Sequence, residues 1–244
     1  MNGTVFTLTL RQFVGQRRSL LLVLLAAVPV IMAAIYQLGD TVDQHDWTVN
    51  VLLDGIVITS VLPLACLILG VSALGSEVED GTAVYILAKP VPRADIILAK
   101  FAAAALVAAA TVVPSALVSG LLALDGVPAE NLPLAFAAAA LLGVAAYTAL
   151  FVFLSVATSR SLVFGLGYVF LWEGLVTELF SGMRWVSVRQ YCLGVADLIS
   201  PAHEDILEAN LDGGAALALI AFVTAAALYL ATRRLQRLEI TAAD

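Results

Sequence analysis

The sequence predicts an all-α integral membrane protein: six transmembrane helices, an amphipathic interfacial helix ahead of the first, and an outer helical hairpin before the last. Three observations predict it. The 244 residues are 61% hydrophobic and 13% charged, with mean hydropathy +1.00, far from the roughly 45–50% apolar and 25% charged residues of soluble domains. Six stretches approach or exceed the about 20 apolar residues that a helix rising about 1.5 Å per residue needs to cross a bilayer. Lysine and arginine then fall almost wholly on one side of those stretches.

The stretches run roughly Leu20 to Leu38, Leu52 to Leu74, Ile96 to Leu124, Pro133 to Ala157, Leu162 to Phe180 and Gly213 to Ala231. The third and fourth are free of charge between Lys100 and Arg160, apart from a short break holding Asp125 and Glu130. Pro29, Pro63 and Pro114 inside spans are tolerable where neighbouring helices satisfy the freed carbonyls. With six spans both termini share a side. That side holds ten basic residues: Arg11, Arg17, Arg18, Lys89, Arg93, Lys100, Arg160, Arg233, Arg234 and Arg237. The other holds only Arg184 and Arg189, so both termini are expected to be cytoplasmic and the chain to lie in the plasma membrane. Acidic residues gather on the outer side, from Asp40 to Asp46 and from Asp197 to Asp212.

Ahead of the first span, Phe6, Leu10, Phe13 and Val14 share a helical face away from Arg11, Gln12, Gln16 and Arg18, as in a helix lying in the headgroup layer. The alternative is an extension of the first span. Arg17-Arg18-Ser19 before an apolar run imitates a secretory signal, but five more spans follow, and the segment is expected to be retained. Between spans five and six, Trp185, Val188, Cys192, Val195 and Ile199 form one apolar stripe. Ser200-Pro201 ends it, and a second short helix from Glu204 to Ala209 would complete an interfacial hairpin; an ordinary surface helix is the other reading. No linker splits the chain, so residues 1–244 are expected to form one transmembrane domain.

Enzyme chemistry finds little support. There is no G-x-x-x-x-G-K-[ST] phosphate loop, so any nucleotide hydrolysis belongs to another chain. His203-Glu204 is followed by Leu207 where a zincin needs its second histidine, and no metal site is expected. Gly70-Val71-Ser72 imitates an intramembrane serine protease, yet His45 and His203, the chain's two histidines, fall in outer segments; Gly70 and Ser72 are read as helix-packing residues. Glu77-Val78-Glu79 is no adjacent acid pair. Cys66 and Cys192 have neither paired nor ligand spacing and are read as small apolar residues. No catalytic residue is expected. A net charge of −7 with no basic tract argues against nucleic acid.

Two acids need separate weighing. A mid-bilayer carboxylate costs about 2.5–3.5 kcal/mol on insertion scales, so such residues face protein or water. Glu173 is the deeper acid of span five: either a polar point in a translocation path or buried partner of a residue such as Arg184, or an acid reaching headgroups where the span ends early. Glu178 lies about 140° around the helix and does not share its face. Asp54 is read as interfacial.

Ser76 to Lys100, SEVEDGTAVYILAKPVPRADIILAK, reads as a polar, proline-marked cytoplasmic loop between spans two and three. Ser76-x-x-Glu79 is a capping pattern. Gly81-Thr82 bends the chain, Ala83 to Ala88 suits a short helix, Pro90 and Pro92 stop it, and Asp95 can cap the next span. The product is a rigid knob tied to two spans.

The order Glu77, Glu79, Gly81, Thr82, Leu87, Pro90, Val91, Arg93 and Lys100 resembles the cytoplasmic loop of ABC-2 type transporter permeases, which commonly carry E-x-E-x-G-T, then L-x-x-P-V-x-R and a later G-K; here Ala99 replaces that glycine. The layout of the whole chain is also similar. The resemblance implies a permease subunit, usually a homodimer, paired with two cytoplasmic ABC ATPase subunits. ATP and Mg would sit on those partners, and this chain would hold no cofactor. It further implies that Glu77, Glu79, Gly81, Thr82 and Tyr85 contact the ATPase, that Pro90 shapes the loop, and that Arg93 and Lys100 hold it to the membrane face. Similar permeases export drugs, lipids, polysaccharides or peptides, and one branch serves nitrous oxide reductase maturation. An apolar path along spans two and five would suit an amphipathic or lipid-like cargo. The rival classes are a passive channel or scaffold, with no use for a docking loop, and a membrane-embedded enzyme, which needs a polar constellation inside the spans.

Overall fold

The computed structural model describes residues 3–14, 17–39, 43–79, 92–125, 131–176, 179, 185–200 and 211–241. All regular structure among them is helical: α1 (Gly3–Val14), α2 (Arg17–Gln37), α3 (Gln44–Asp46), a π-helical segment π1 (Trp47–Val61), α4 (Leu62–Glu79), α5 (Arg93–Ala123), α6 (Leu132–Ala157), α7 (Ser161–Gly167), a second π segment π2 (Tyr168–Val176), α8 (Val188–Ile199) and α9 (Gly213–Thr241). Five stretches among the described residues are long and apolar enough to cross a membrane: Ser19–Gln37, Gln44–Gly75, Arg93–Ala123, Leu132–Ala157 and Gly213–Arg237. The expected fifth of six spans is present as the shorter apolar helix Ser161–Leu175. It falls below the about 20 residues a crossing needs, and the rest of the predicted stretch lies largely outside the described residues.

The bundle is built round α6, which packs against α4, α5, α8 and α9. Its sequence explains the position. Alanine and glycine on several faces let neighbouring backbones approach, and with no charge on any face the helix has no reason to reach water. A Cβ on Gly70 of α4 would stand 2.7 Å from Phe151 Cβ of α6, and one on Gly143 of α6 would stand 2.6 Å from Cys192 Sγ of α8. These glycines set how closely the helices approach. Ser72, buried beside them, donates to the Ile68 carbonyl of its own helix at 2.6 Å. α2 and α9 lie at the margin of the bundle, with many exposed apolar side chains such as Leu20, Leu24, Phe222 and Tyr229.

The second span begins at Gln44, earlier than its hydropathy suggested. Thr48 and Asn50 are polar but need no water: the Thr48 hydroxyl donates to the Gln44 carbonyl at 2.6 Å and the Asn50 amide to Asp46 at 2.8 Å. Over Trp47–Val61 the winding is i→i+5, and the side chains follow it, Thr59 donating to the Asp54 carbonyl at 2.8 Å and Ser60 to that of Gly55 at 3.2 Å. Wide winding ends where α4 begins, beside Pro63, which has no N–H to contribute. In α2, the Ala26 carbonyl accepts from Ser115 Oγ of α5 at 2.5 Å, a hydrogen bond that ties the two helices together.

The N-terminal segment is helical and packs on α5, burying Thr9 and Phe13 while Phe6 and Leu10 are half-buried and Arg11 is exposed. At the opposite end of the bundle, Gln37 donates to the Leu122 and Ala123 carbonyls at 2.9 and 3.1 Å, Gln44 donates to Ala123 at 2.6 Å, and Tyr36 stacks on Trp47 at 3.8 Å.

Candidate functional site

Among the described residues, two regions gather charged side chains into contacts between helices, one at each end of the bundle.

At the loop end, helix continues further than the sequence pattern indicated. α4 runs through Glu79 and α5 starts at Arg93, so the connection is shorter than Ser76 to Lys100. Ser76 lies within the last turns of α4, where its helical backbone precludes the N-cap role that the Ser-x-x-Glu pattern suggested. Asp95 does not cap α5 either. Pro92 precedes the helix, the Asp95 N–H bonds to the Pro92 carbonyl at 2.9 Å, and the acid lies in the first turn, where the helix dipole favours it. Glu77 and Glu79 belong to the last turn of α4; Gly81, Thr82, Tyr85 and Pro90 lie outside the described residues. Arg93 opens α5 and is half-buried.

Lys100 stands well inside the helix. It is 2% exposed and its ammonium donates to the Ala73 carbonyl of α4. A buried ammonium is costly without acceptors, so this contact fastens α4 to α5 just below the connection. The two helices that bracket the loop are therefore joined near their ends.

At the opposite end, α8 is held by two acids, one from each π segment. Glu173 of π2 is 1% exposed. Its carboxylate accepts from the Tyr168 hydroxyl at 2.9 Å, from Ser187 Oγ at 2.5 Å and from the Val188 N–H at 2.9 Å. Ser187 is the N-cap of α8 and also accepts from the Gln190 N–H at 3.3 Å. The acid thus sits on the positive end of a helix whose first amide it satisfies. Arg184, named from the sequence as a partner, lies outside the described residues. The fully buried Tyr147 of α6 lies near the same carboxylate.

Asp54 of π1 supplies the second hold. Arg189 of α8 donates to it through Nε to Oδ1 at 2.9 Å and Nη2 to Oδ2 at 2.7 Å, with both side chains mostly buried. The interfacial role read for Asp54 becomes a specific pairing across the bundle. The predicted stripe on α8 buries Val188, Cys192 and Val195, while Trp185 and Ile199 at its ends are exposed. Burial, and then the nearby Glu173 carboxylate, push the Tyr191 hydroxyl above its usual range, so it remains a donor and bonds the Trp185 carbonyl at 2.7 Å. The predicted second helix of the hairpin lies outside the described residues. Where α8 meets α9, Gly194 and Gly213 permit contact: a Cβ on Gly213 would stand 2.5 Å from Leu198 Cβ.

Sequence reasoning missed the Asp54–Arg189 pair and the capping of α8 by Glu173. The available signal for the cap was Ser187 ahead of the apolar stripe; two i,i+5 polar spacings, Asp54 with Thr59 and Tyr168 with Glu173, pointed to the winding that places the acids. Among the described residues no three His, Cys, Asp or Glu side chains converge to hold a metal.

A family model described as ABC-2 family transporter protein matches residues 4–190, a stretch that includes α1, the loop, both π segments and the start of α8. No curated protein matches the chain.

Proposed function

Because this chain belongs to the ABC-2 family of transporter proteins, a family of multi-pass membrane permeases, we propose that it draws its energy from a separate ABC ATPase through the connection between α4 and α5. The observation that supports this most is the family match itself, which runs through that connection. In this reading two copies of the chain pair with two ATPase subunits in the plasma membrane. Both termini are cytoplasmic, and α7 with π2 and the residues after it complete a sixth crossing. α1 lies along the cytoplasmic headgroups. Transport runs outward.

Glu77, Glu79, Gly81, Thr82 and Tyr85 meet the ATPase, and Pro90 keeps the knob stiff. Arg93 and Lys100 join it to the spans. ATP and Mg bind on the partner, and ATP drives transport only because closing the ATPases favours one arrangement of the spans over another; equal affinity for both would shift nothing. The Lys100–Ala73 contact supports the coupling, since a push on the loop reaches α4 and α5 together. Glu173 serves the translocation path by holding α8 over the far end of the bundle.

The experiment is a mild-detergent purification of the tagged chain from its host, followed by mass spectrometry of what accompanies it. A soluble protein with a phosphate-binding loop, in equal number to this chain, is the expected companion. A chain that purifies alone across several detergents contradicts the reading.

A further inference from the structure

A cavity of about 270 Å³ lies between π2, α6, α9 and the start of α8, lined by Leu150, Tyr168, Trp172, Val188, Tyr191 and Val223. Its polar groups are already engaged within the protein. The Tyr168 hydroxyl and the Val188 N–H go to Glu173, the Trp172 indole N–H to the Val186 carbonyl at 3.3 Å, and the Tyr191 hydroxyl to the Trp185 carbonyl. What remains to face the cavity is hydrocarbon and aromatic ring. Water there would lack the 2–4 polar partners it needs, and a polar ligand would lose hydrogen bonds without replacement.

The residues flanking the lining face away from the bundle. Leu171 beside Trp172 is 63% exposed, and Phe222 beside Val223 is 69% exposed. In a membrane those surfaces meet acyl chains, and so does the mouth between them. Size narrows the occupant further. An apolar cavity of about 150 Å³ takes benzene, so this one, at about 270 Å³, takes about ten carbons in proportion.

We propose that the cavity binds one acyl chain of a bilayer phospholipid from the leaflet on the α8 side, its headgroup remaining at the surface beside the exposed Trp185. Tyrosine and tryptophan suit that depth, with ring in hydrocarbon and polar edge toward the interface. The chain end lies against Tyr168, which donates to Glu173 within π2, and against Val188, whose N–H ties Glu173 to α8, so the lipid supports the seat of that helix. The site needs no ATPase, and its failure would leave the transporter reading intact.

The test uses the full chain in phosphatidylcholine vesicles containing a small fraction of lipid with a diazirine at acyl carbon 10. Irradiation and peptide mass spectrometry then map the labelled residues. Labelling at Trp172 and Tyr168 is expected to exceed that at Leu21 and Leu24 of α2, which are 54% and 57% exposed, by threefold or more. Val223→Phe and Leu150→Phe, placed on different helices so that one misfolded variant does not decide the matter, should each reduce the Trp172 label at least threefold without changing that on α2. Equal labelling at Trp172 and α2, unaffected by both variants, overturns the proposal. Loss of the label in wild type together with disulfide cross-linking of Phe222→Cys between copies would assign the cavity to contact between two chains, and also overturns it.

Discussion

Arg189 and Asp54, 135 residues apart in the chain, close a two-point ion pair between the helix that caps one end of the bundle and the π-wound start of the second span, with contacts of 2.9 and 2.7 Å. Exposed pairs contribute about 0–1 kcal/mol, whereas breaking a buried pair costs about 3–5 kcal/mol. The side chains here are 16% and 13% exposed. Asp54→Asn and Arg189→Gln should therefore each lower stability by about 2 kcal/mol, with a coupling of about 1–2 kcal/mol in the double-mutant cycle. Thermal unfolding in detergent measures it; strictly additive losses would deny the pair any energetic role.

Glu173 is predicted to be an anchor of α8. Glu173→Leu leaves the Tyr168 hydroxyl, the Ser187 hydroxyl and the Val188 N–H without their acceptor, at about 1–3 kcal/mol for each buried group. Amide exchange over Val188–Tyr191 should rise by at least tenfold in that variant and by less in Glu173→Gln, which keeps one acceptor oxygen. Exchange equal to wild type in Glu173→Leu would show that α8 is seated by its apolar stripe alone.

Close packing at Gly143 yields a sharper expectation. Gly143→Ala brings a methyl to 2.6 Å from Cys192 Sγ and 2.8 Å from Leu62 Cδ2, an overpacking worth about 1–3 kcal/mol. Adding Cys192→Gly removes one of the two clashes, so the double variant should unfold at a higher temperature than the sum of the single effects predicts.

Lys100→Met keeps the stem and removes the ammonium that bonds Ala73. Losing a buried hydrogen bond from a charged group costs about 1.5–3 kcal/mol, so the melting temperature should fall by a few degrees while the chain still folds. ATP hydrolysis stimulated by the permease should fall severalfold, because α4 and α5 no longer move as one. Full stimulation in a folded variant would remove Lys100 from the coupling.

The membrane class and the third and fourth spans were legible because long uncharged runs admit few alternatives; Ile96 and Pro133 stand within three residues of the observed starts at Arg93 and Leu132. The stripe on α8 was legible from period alone. The start at Gln44 was hidden because hydropathy penalises Thr48 and Asn50, whose hydrogen bonds within the helix cancel that penalty. The π winding was hidden because its i,i+5 polar spacings, Asp54 with Thr59 and Tyr168 with Glu173, are too few to stand out against the apolar residues around them. Arg189 and Asp54 meet only once the spans are assembled, and neither residue marks the other in sequence. At the loop, local patterns misled: Ser76 and Asp95 have the residue types of caps, while chain continuity and Pro92 determine where the helices end and begin.

Coupling through the loop is tested most directly by ATP hydrolysis of the purified permease–ATPase complex in vesicles, comparing the native chain with the Glu79→Gln, Gly81→Ala double variant. With the loop as the ATPase contact, the variant inserts and folds normally, while hydrolysis falls to the rate of the ATPase alone. Undiminished, permease-stimulated hydrolysis by the variant would contradict that role.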